Sequence, residues 1–263
     1  MNILKSQVST RRSIMANFAG RTILYTGAAG GLGLPTTLAY LEAGAKVVVF
    51  DNDEAKIQAL KLAAGAPSNL LIYEVDLSDA AALNSALDQA ISDTGGIDTV
   101  INNAAIYPSK PFDQYSIEEF QMVERVNVES AVICVQRALG HMKSKQFGRI
   151  VNISSITFYG AWANLAPYVA SKGALVGLTR AWAREFGEFG VTVNAVSPGA
   201  FPTDAEKIHP NPAQYNQYVL DNQSVKRRGT PSDIATALMF LTSEESGFIT
   251  GQTLNVDGGW VMN

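Results

Sequence analysis

The sequence predicts an α/β fold, a mainly parallel sheet of seven strands wound on both faces by helices within one domain. Three observations carry this reading. From Arg21 onward, short β-branched runs alternate with longer runs of helical period, the pattern of successive β-α-β units. The strand runs are continuously apolar, as strands covered on both faces are. No linker, internal repeat or break in composition divides the chain after residue 18, and 263 residues at 47% hydrophobic content can fill one such core.

The first 18 residues stand apart. They are polar and mixed, with Arg11-Arg12-Ser13 and no periodicity, and are expected to form a flexible extension to a domain spanning 19–263. No apolar stretch of ~7–15 residues follows the basic pair, so an export signal is not read there. Met15 directly precedes the folded pattern and is a candidate alternative start.

Thr22-Ile23-Leu24-Tyr25 supplies the first strand, 22–25, and a glycine-rich turn leads into a helix reaching about Ala43. Pro35 is tolerated near that helix's start, where N–H groups have no intrahelical acceptor. Lys-Val-Val-Val-Phe, 46–50, is the second strand and 54–63 the next helix. A strand over 70–75 precedes a helix over 80–92, and 99–101 is a short strand before a long helix over 117–141. Strands over 149–153 and 191–195 flank a helix running from 166 to 189, with Val169, Leu175, Val176, Leu178, Trp182 and Phe186 at helical spacing. A helix over 232–242 and a strand over 253–256 close the fold. Between 198 and 229, Pro202, Pro210 and Pro212 interrupt any period. A long segment beyond a strand's carboxyl end lies where open α/β sheets bind ligands, so a mobile substrate lid with one or two short helices is expected.

Composition excludes several classes. The net charge of −4 offers no basic surface to nucleic acid. The single cysteine, in Val132-Ile133-Cys134-Val135, reads as core, so neither a disulfide framework nor a thiolate metal site is expected. His141 and His209 are the only histidines, too few to supply a zinc alcohol dehydrogenase readily, and no metal is expected. No apolar run reaches the ~18–20 residues of a membrane span, and a cytoplasmic location is expected.

Thr26-Gly27-Ala28-Ala29-Gly30-Gly31-Leu32-Gly33 follows the first strand and opens the first helix. In that setting glycines permit a tight turn and close approach of backbone to a pyrophosphate, and the helix N-terminus supplies N–H groups for it. This makes the fold Rossmann-like. Asp51 ends the second strand, where a carboxylate can bind the adenosine ribose hydroxyls. Its alternative role is helix capping within Asp51-Asn52-Asp53, which Asp53 could perform instead. Tyr168 and Lys172, four apart on a helix, share a face. A free phenol has a pKa of about 10, and bringing it to about 7 takes roughly 4 kcal/mol. A neighbouring ammonium can supply part of this and a cationic cofactor ring the rest.

Together these pieces resemble the short-chain dehydrogenase/reductase family over roughly Ala19 to Trp260. The glycine turn is similar to the family's Thr-Gly-x-x-x-Gly-x-Gly. It also fits the Thr-Gly-x-x-Gly-x-x-Gly of an epimerase-like branch, because Gly30 and Gly31 are both present. Asn102-Asn103-Ala104-Ala105 resembles Asn-Asn-Ala-Gly, with Ala105 replacing the glycine. Ile249-Thr250-Gly251-Gln252 and Val256-Asp257-Gly258-Gly259 are similar to the shorter branch's C-terminal signature. The resemblance implies a catalytic set of Asn127, Ser155, Tyr168 and Lys172. Tyr168 would be the general acid/base, Ser155 would hold the reacting oxygen, Lys172 would lower the phenol pKa and hold the nicotinamide ribose, and Asn127 would position a water. It also implies cofactor contacts from Gly27, Gly31, Leu32, Gly33, Asp51, Asp76, Leu77, Asn103 and Ala104, then from Tyr168, Lys172, Pro198, Gly199, Phe201 and Thr203.

The implied activity is interconversion of an alcohol and its carbonyl compound by hydride transfer. The alternatives are an epimerase or dehydratase, or a dinucleotide sensor without turnover. NAD is expected over NADP, because Asp51 repels a 2′-phosphate and no Arg or Lys stands among Ala28, Ala29, Asn52, Asp53 and Glu54. Lys46 is at the far end of its strand, and Lys56 is on the following helix. Tyr107, Phe158, Tyr159, Trp162 and Phe201, with His209 on the lid, are candidate substrate-pocket residues. Such rings suit an aromatic or apolar secondary alcohol, and they also stack on sugars and polyols. The absence of a carboxylate cluster nearby disfavours a cationic substrate. Family members with this C-terminal signature pair through the last helix and strand, so a homotetramer is expected, with Trp260-Val261-Met262 near an interface.

Overall fold

The computed structural model describes residues 17–204, 206 and 210–262. The greater part of the expected extension, the candidate start at Met15 and His209 lie outside the described residues. Seven strands form one parallel sheet in the order β3-β2-β1-β4-β5-β6-β7. They are β1 Thr22–Thr26, β2 Lys46–Asp51, β3 Leu70–Glu74, β4 Thr99–Asn102, β5 Gly148–Ile153, β6 Val191–Pro198 and β7 Thr253–Val256. The chain moves outward in one direction through β1, β2 and β3, then crosses to β4 and proceeds the other way. A crevice therefore opens beyond the carboxyl ends of β1 and β4, the switch point at which such sheets bind dinucleotides.

Side chains alternate along each strand between two apolar layers. Leu24, Val48 and Phe50 face α3 (Ala80–Thr94), α5 (Ser130–Lys145) and α7 (Ala166–Phe186), where Leu87, Cys134 and Phe186 pack. Ile23, Tyr25, Val47 and Val49 face α1 (Gly33–Glu42), α2 (Glu54–Ala64) and α9 (Pro231–Thr242), where Tyr40, Leu60 and Leu238 pack. Phe18, assigned by sequence to the extension, belongs to the second layer. It is buried, with its ring 5.0 Å from that of Tyr40 and edge-on to it. Among the described residues, no helix is long and apolar enough to cross a membrane.

Several helices begin at a side-chain cap. Asp53 accepts from Lys56 N, Asp79 accepts from Ala81 N and Ala82 N, and Ser116 with Glu119 forms a capping box at α4 (Ile117–Glu124). Each such cap is worth ~1 kcal/mol. The N-terminus of α1 has no side-chain cap and no acidic residue in its first turn. That leaves it suited to an external anion.

Three segments differ from the sequence expectation. The long helix expected over 117–141 is α4, a π-helical turn over Arg125–Glu129, and α5. A short helix, α6 (Thr157–Gly160), follows β5. The lid segment contains α8 (Pro212–Asn222), capped by Asn211 and longer than the short helices expected there.

Candidate active site

A cleft of about 660 Å³ lies over the switch point, between the glycine turn and the segment that follows β6. Gly27 takes a left-handed φ of 62°, and a Cβ there would come within 2.8 Å of Ala104 Cα. A Cβ on Gly33 would strike Ala28 at 2.5 Å, so α1 can seat against the turn only through glycine. Gly33 is thereby a packing position and does not line the cleft, whereas Gly27, Gly31 and Leu32 do. Thr26 Oγ1 accepts from the backbone N–H groups of Asn103 (3.0 Å) and Ala104 (3.2 Å). The Asn103 amide donates to the carbonyls of Thr26 and Gly27, both at 3.0 Å. The end of β4 is thus locked to the glycine turn.

Asp51 closes the far side of this turn. Its Oδ2 accepts from Ala29 N at 3.0 Å and its Oδ1 from Asn52 N at 2.9 Å and Asp53 N at 3.2 Å. Capping of α2 falls to Asp53, which leaves Asp51 facing the cleft with Asp76 and Leu77. Pro198, Gly199, Phe201 and Thr203 line the opposite wall, and Thr203 meets Gly31 across it: a Cβ on Gly31 would lie 3.4 Å from the Thr203 methyl. An uncapped helix N-terminus, a turn open to backbone approach and a terminal carboxylate together fit a dinucleotide. Bound there, Gly31, Leu32 and Thr203 would hold its phosphates and Asp51 its adenosine ribose.

The opposite half of the cleft holds Ser155, Tyr168 and Lys172. Ser155 follows β5. Its hydroxyl accepts from Thr157 N at 3.1 Å, and Ser155 lines the cleft with Tyr168. Burial pushes the Tyr168 phenol up to about 12, with the Ser155 side chain opposing. Lys172 is fully buried; its Nζ donates to Ile153 O at 2.7 Å and lies 5.4 Å from the centre of the Tyr168 ring. Burial brings its ammonium down to about 7. The shared helix face expected from sequence is therefore present, but among the protein's own groups burial outweighs any lowering of the phenol by Lys172. Two hydroxyls, from Ser155 and Tyr168, can converge on one substrate oxygen beside a cation.

Asn127 does not line the cleft. It sits in the π-helical turn, where its amide accepts from Ile106 N (2.9 Å) and donates to Ile106 O (3.0 Å) and to Ser171 Oγ (3.0 Å). Ser171 in turn donates to Tyr168 O at 2.7 Å. Asn127 thus ties the loop after β4 to the helix that carries Tyr168. π turns of this kind recur at functional sites.

The aromatic wall differs in part from the sequence expectation. Tyr107 lies edge-on to Tyr168 with ring centres 6.0 Å apart, and Trp162 and Phe201 face the cleft. Phe158 and Tyr159 do not line it. Helix α6 turns Phe158 onto Gly173 at the outside of α7 and against Tyr159, 4.9 Å away. Tyr215, on α8, and Trp260 line the cleft instead. Trp260 contacts Trp162 (5.6 Å between ring centres) and Tyr218 (5.5 Å). Asp257 winds this tail, accepting from Gly259 N and Val261 N. The carboxylates Asp204 and Glu206 also line the cleft, paired with Lys56 and Arg228 respectively. Nearness to a strand end could not have found Tyr215 or Glu206, which long-range packing brings in, whereas Trp260, a few residues beyond β7, could have been found by that rule.

A parallel sheet with a glycine-rich crevice at its switch point, and a serine, a tyrosine and a buried lysine at the crevice's far end, fits an oxidoreductase of the nicotinamide-dependent kind. The chain belongs to the short-chain dehydrogenase/reductase family: residues 27–261 match the family model described as enoyl-(acyl carrier protein) reductase. It is 38% identical over 240 residues (91% of this chain, 96% of the relative) to the (2S)-[(R)-hydroxy(phenyl)methyl]succinyl-CoA dehydrogenase subunit of Thauera aromatica. It is 32% identical over 244 residues (92% and 97%) to cis-4-hydroxycyclohexanecarboxylate dehydrogenase of Sinomonas cyclohexanicum. The crystal structure of a proposed gluconate dehydrogenase from Agrobacterium tumefaciens superposes with a TM-score of 0.87 at 29% identity, covering 94% of this chain and 98% of that one.

Proposed function

We propose that this chain is a cytoplasmic, NAD-dependent dehydrogenase of ring-bearing or apolar secondary alcohols, with Tyr168 as general acid/base. The observation that carries the reading is that Ser155, Tyr168 and the buried Lys172 line one end of the cleft together, with Lys172 Nζ 5.4 Å from the centre of the Tyr168 ring. A bound nicotinamide cofactor would supply or take up the hydride; the protein aligns and polarises. Tyr168 takes the proton from the substrate hydroxyl in oxidation, or gives it to the carbonyl in reduction. Ser155 donates to the same oxygen and stabilises charge that develops there. Lys172, as the ammonium, favours the phenolate and would hold the nicotinamide ribose. Asn127 keeps the Tyr168 helix in register with the loop after β4.

Tyr107, Trp162, Tyr215 and Trp260 support the substrate class, because they offer broad apolar faces near the reacting hydroxyls. The names of two relatives, which specify phenyl- and cyclohexane-bearing substrates, agree with it. A panel of alcohols followed by NADH absorbance tests the proposal. Cyclic secondary alcohols should exceed polyols in kcat/KM by about tenfold or more, equivalent to ~1.4 kcal/mol. Polyols that win by that margin would overturn the substrate class, and no turnover with any alcohol would favour a sensor. With the best substrate, NAD should be used at least about tenfold better than NADP. A 2′-phosphate ~4 Å from Asp51 meets repulsion of about 4 kcal/mol per charge before screening and relaxation.

We also propose a homotetramer. Phe240 on α9, Leu254 on the edge strand β7 and Phe248 between them are exposed apolar side chains along one margin of the sheet. Light scattering that returns a monomer at micromolar concentration would contradict this assembly.

A further inference from the structure

We propose that Lys56 is a cofactor-facing residue whose ammonium determines how far a 2′-phosphate is tolerated beside Asp51. This deepens the reading of Asp51 as the ribose-binding carboxylate and rests on it. In sequence Lys56 belongs to the helix after β2 and gives no sign of reaching the cofactor. In the structure it lines the cleft. Its stem lies across the glycine turn: a Cβ built on Gly30 would come within 2.8 Å of Lys56 Cδ and 3.3 Å of Cε. Gly30 therefore leaves a gap that the lysine stem fills, and the charge of a distant residue is delivered to the turn itself.

The ammonium is aimed by carboxylates on both sides of the cleft. It lies 3.0 Å from Asp53 Oδ2 and 3.7 Å from Asp204 Oδ2. Asp53 is itself fixed as the cap of α2 through Lys56 N at 3.1 Å. The Asp53 hydrogen bond, against partial burial, holds the proton on Lys56 more firmly than usual, and Asp204 and Asp51 act in the same direction. A cation thus stands within reach of Asp51 at the rim where the adenosine ribose belongs. The pairs it makes are half-exposed, with the Lys56 side chain at 41% exposure, so the ammonium can turn to a phosphate without breaking a buried ion pair. A lysine meets phosphate as a mobile point charge. The consequence is specific. Asp51 disfavours the 2′-phosphate, Lys56 partly offsets this, and the chain retains measurable affinity for NADP.

Calorimetry or ligand fluorescence with NADH, NADPH, ADP and 2′,5′-ADP tests this on the full chain without turnover. Lys56→Met retains the stem over Gly30 and removes only the charge; Lys56→Ala removes both. Both variants should weaken NADPH and 2′,5′-ADP by about tenfold, the scale of a charge-assisted hydrogen bond, and NADH and ADP by less than about threefold. Equal weakening of both classes, no weakening of NADPH, or wild-type protein that binds no NADPH would overturn the proposal. Asp51→Asn separates it from its premise. If that change leaves the NADH-to-NADPH ratio unaltered while the Lys56 variants shift it, the placement of Asp51 fails and that of Lys56 stands.

Discussion

Tyr168→Phe is expected to lower kcat by at least ~10²-fold, the low end for loss of a general acid–base group. At about 1.36 kcal/mol per decade, this is a loss of ~2.7 kcal/mol of transition-state stabilisation. The substitution retains the ring, and with it the edge-on packing against Tyr107 and the position above Lys172. It removes only the phenolic hydroxyl. Cofactor affinity should therefore change by no more than a few-fold. Steady-state kinetics combined with a binding titration for NADH checks both parts. Near-normal turnover in the variant would remove Tyr168 from the chemistry.

Lys172→Met should reduce kcat/KM by roughly 10²-fold or more, since it removes the charge that favours the phenolate. Its effect on stability has the opposite sign. In the folded protein the Lys172 ammonium is brought down to about 7 by burial. Between about pH 7 and the ordinary lysine pKa of about 10.4, the unfolded chain holds a proton that the folded chain has given up. Stability of the wild type therefore rises with pH across that window. Below about pH 7 both states carry the proton, and the folded state bears the full cost of the buried charge. At 1.36 kcal/mol per pKa unit the upper bound is about 5 kcal/mol. Loss of the hydrogen bond to Ile153 O offsets about 1–3 kcal/mol of it. Urea denaturation of the protein without cofactor, at one protein concentration, should show Lys172→Met more stable at pH 6 by about 1–2 kcal/mol, with the advantage smaller at pH 9. A variant less stable than wild type at pH 6 would show that the site accommodates the ammonium without penalty. The expected result makes Lys172 a residue kept for function at the expense of the fold.

The sheet was legible because its signal is periodic and local. Each of the seven apolar runs became a strand, and the glycine turn fell between β1 and α1. The π-helical turn was not legible. Buried positions on either side of it, Val123, Asn127, Ala131, Cys134 and Ala138, keep the spacing of a continuous helix. Changing one turn from α to π leaves no mark on that pattern. Strand ends ran beyond the apolar cores, as in β6, because Ser197 and Pro198 continue the ladder beside Asn255 and Val256 through backbone pairing.

The site divides in the same manner. Tyr168 and Lys172 were readable from helix geometry and Asp51 from its place at a strand end. Lys56 and Tyr215 were not, because tertiary packing delivers each to the cleft from a helix whose local pattern explains it otherwise. Trp260 was read with its apolar tail as lying near a subunit interface; it also faces the cleft, because hydrogen bonds to Asp257 turn the backbone back toward Trp162. Phe158 departs from expectation. It follows a strand end closely enough to suggest the pocket, but one turn of α6 carries it past.

Titration of the Tyr168 phenol itself tests the proposed mechanism most directly. Tyrosinate absorbance of the wild type minus that of Tyr168→Phe isolates this one residue. In the protein alone, burial holds the phenol up to about 12, so no Tyr168 signal is expected below about pH 10, the value of a free phenol. With saturating NAD, the Lys172 ammonium and the cationic ring act together, and the ionisation should move down by several units toward neutrality, as a general base working near pH 7 requires. Lys172→Met should move it part of the way back. A Tyr168 ionisation that is identical with and without NAD would contradict the proposed mechanism.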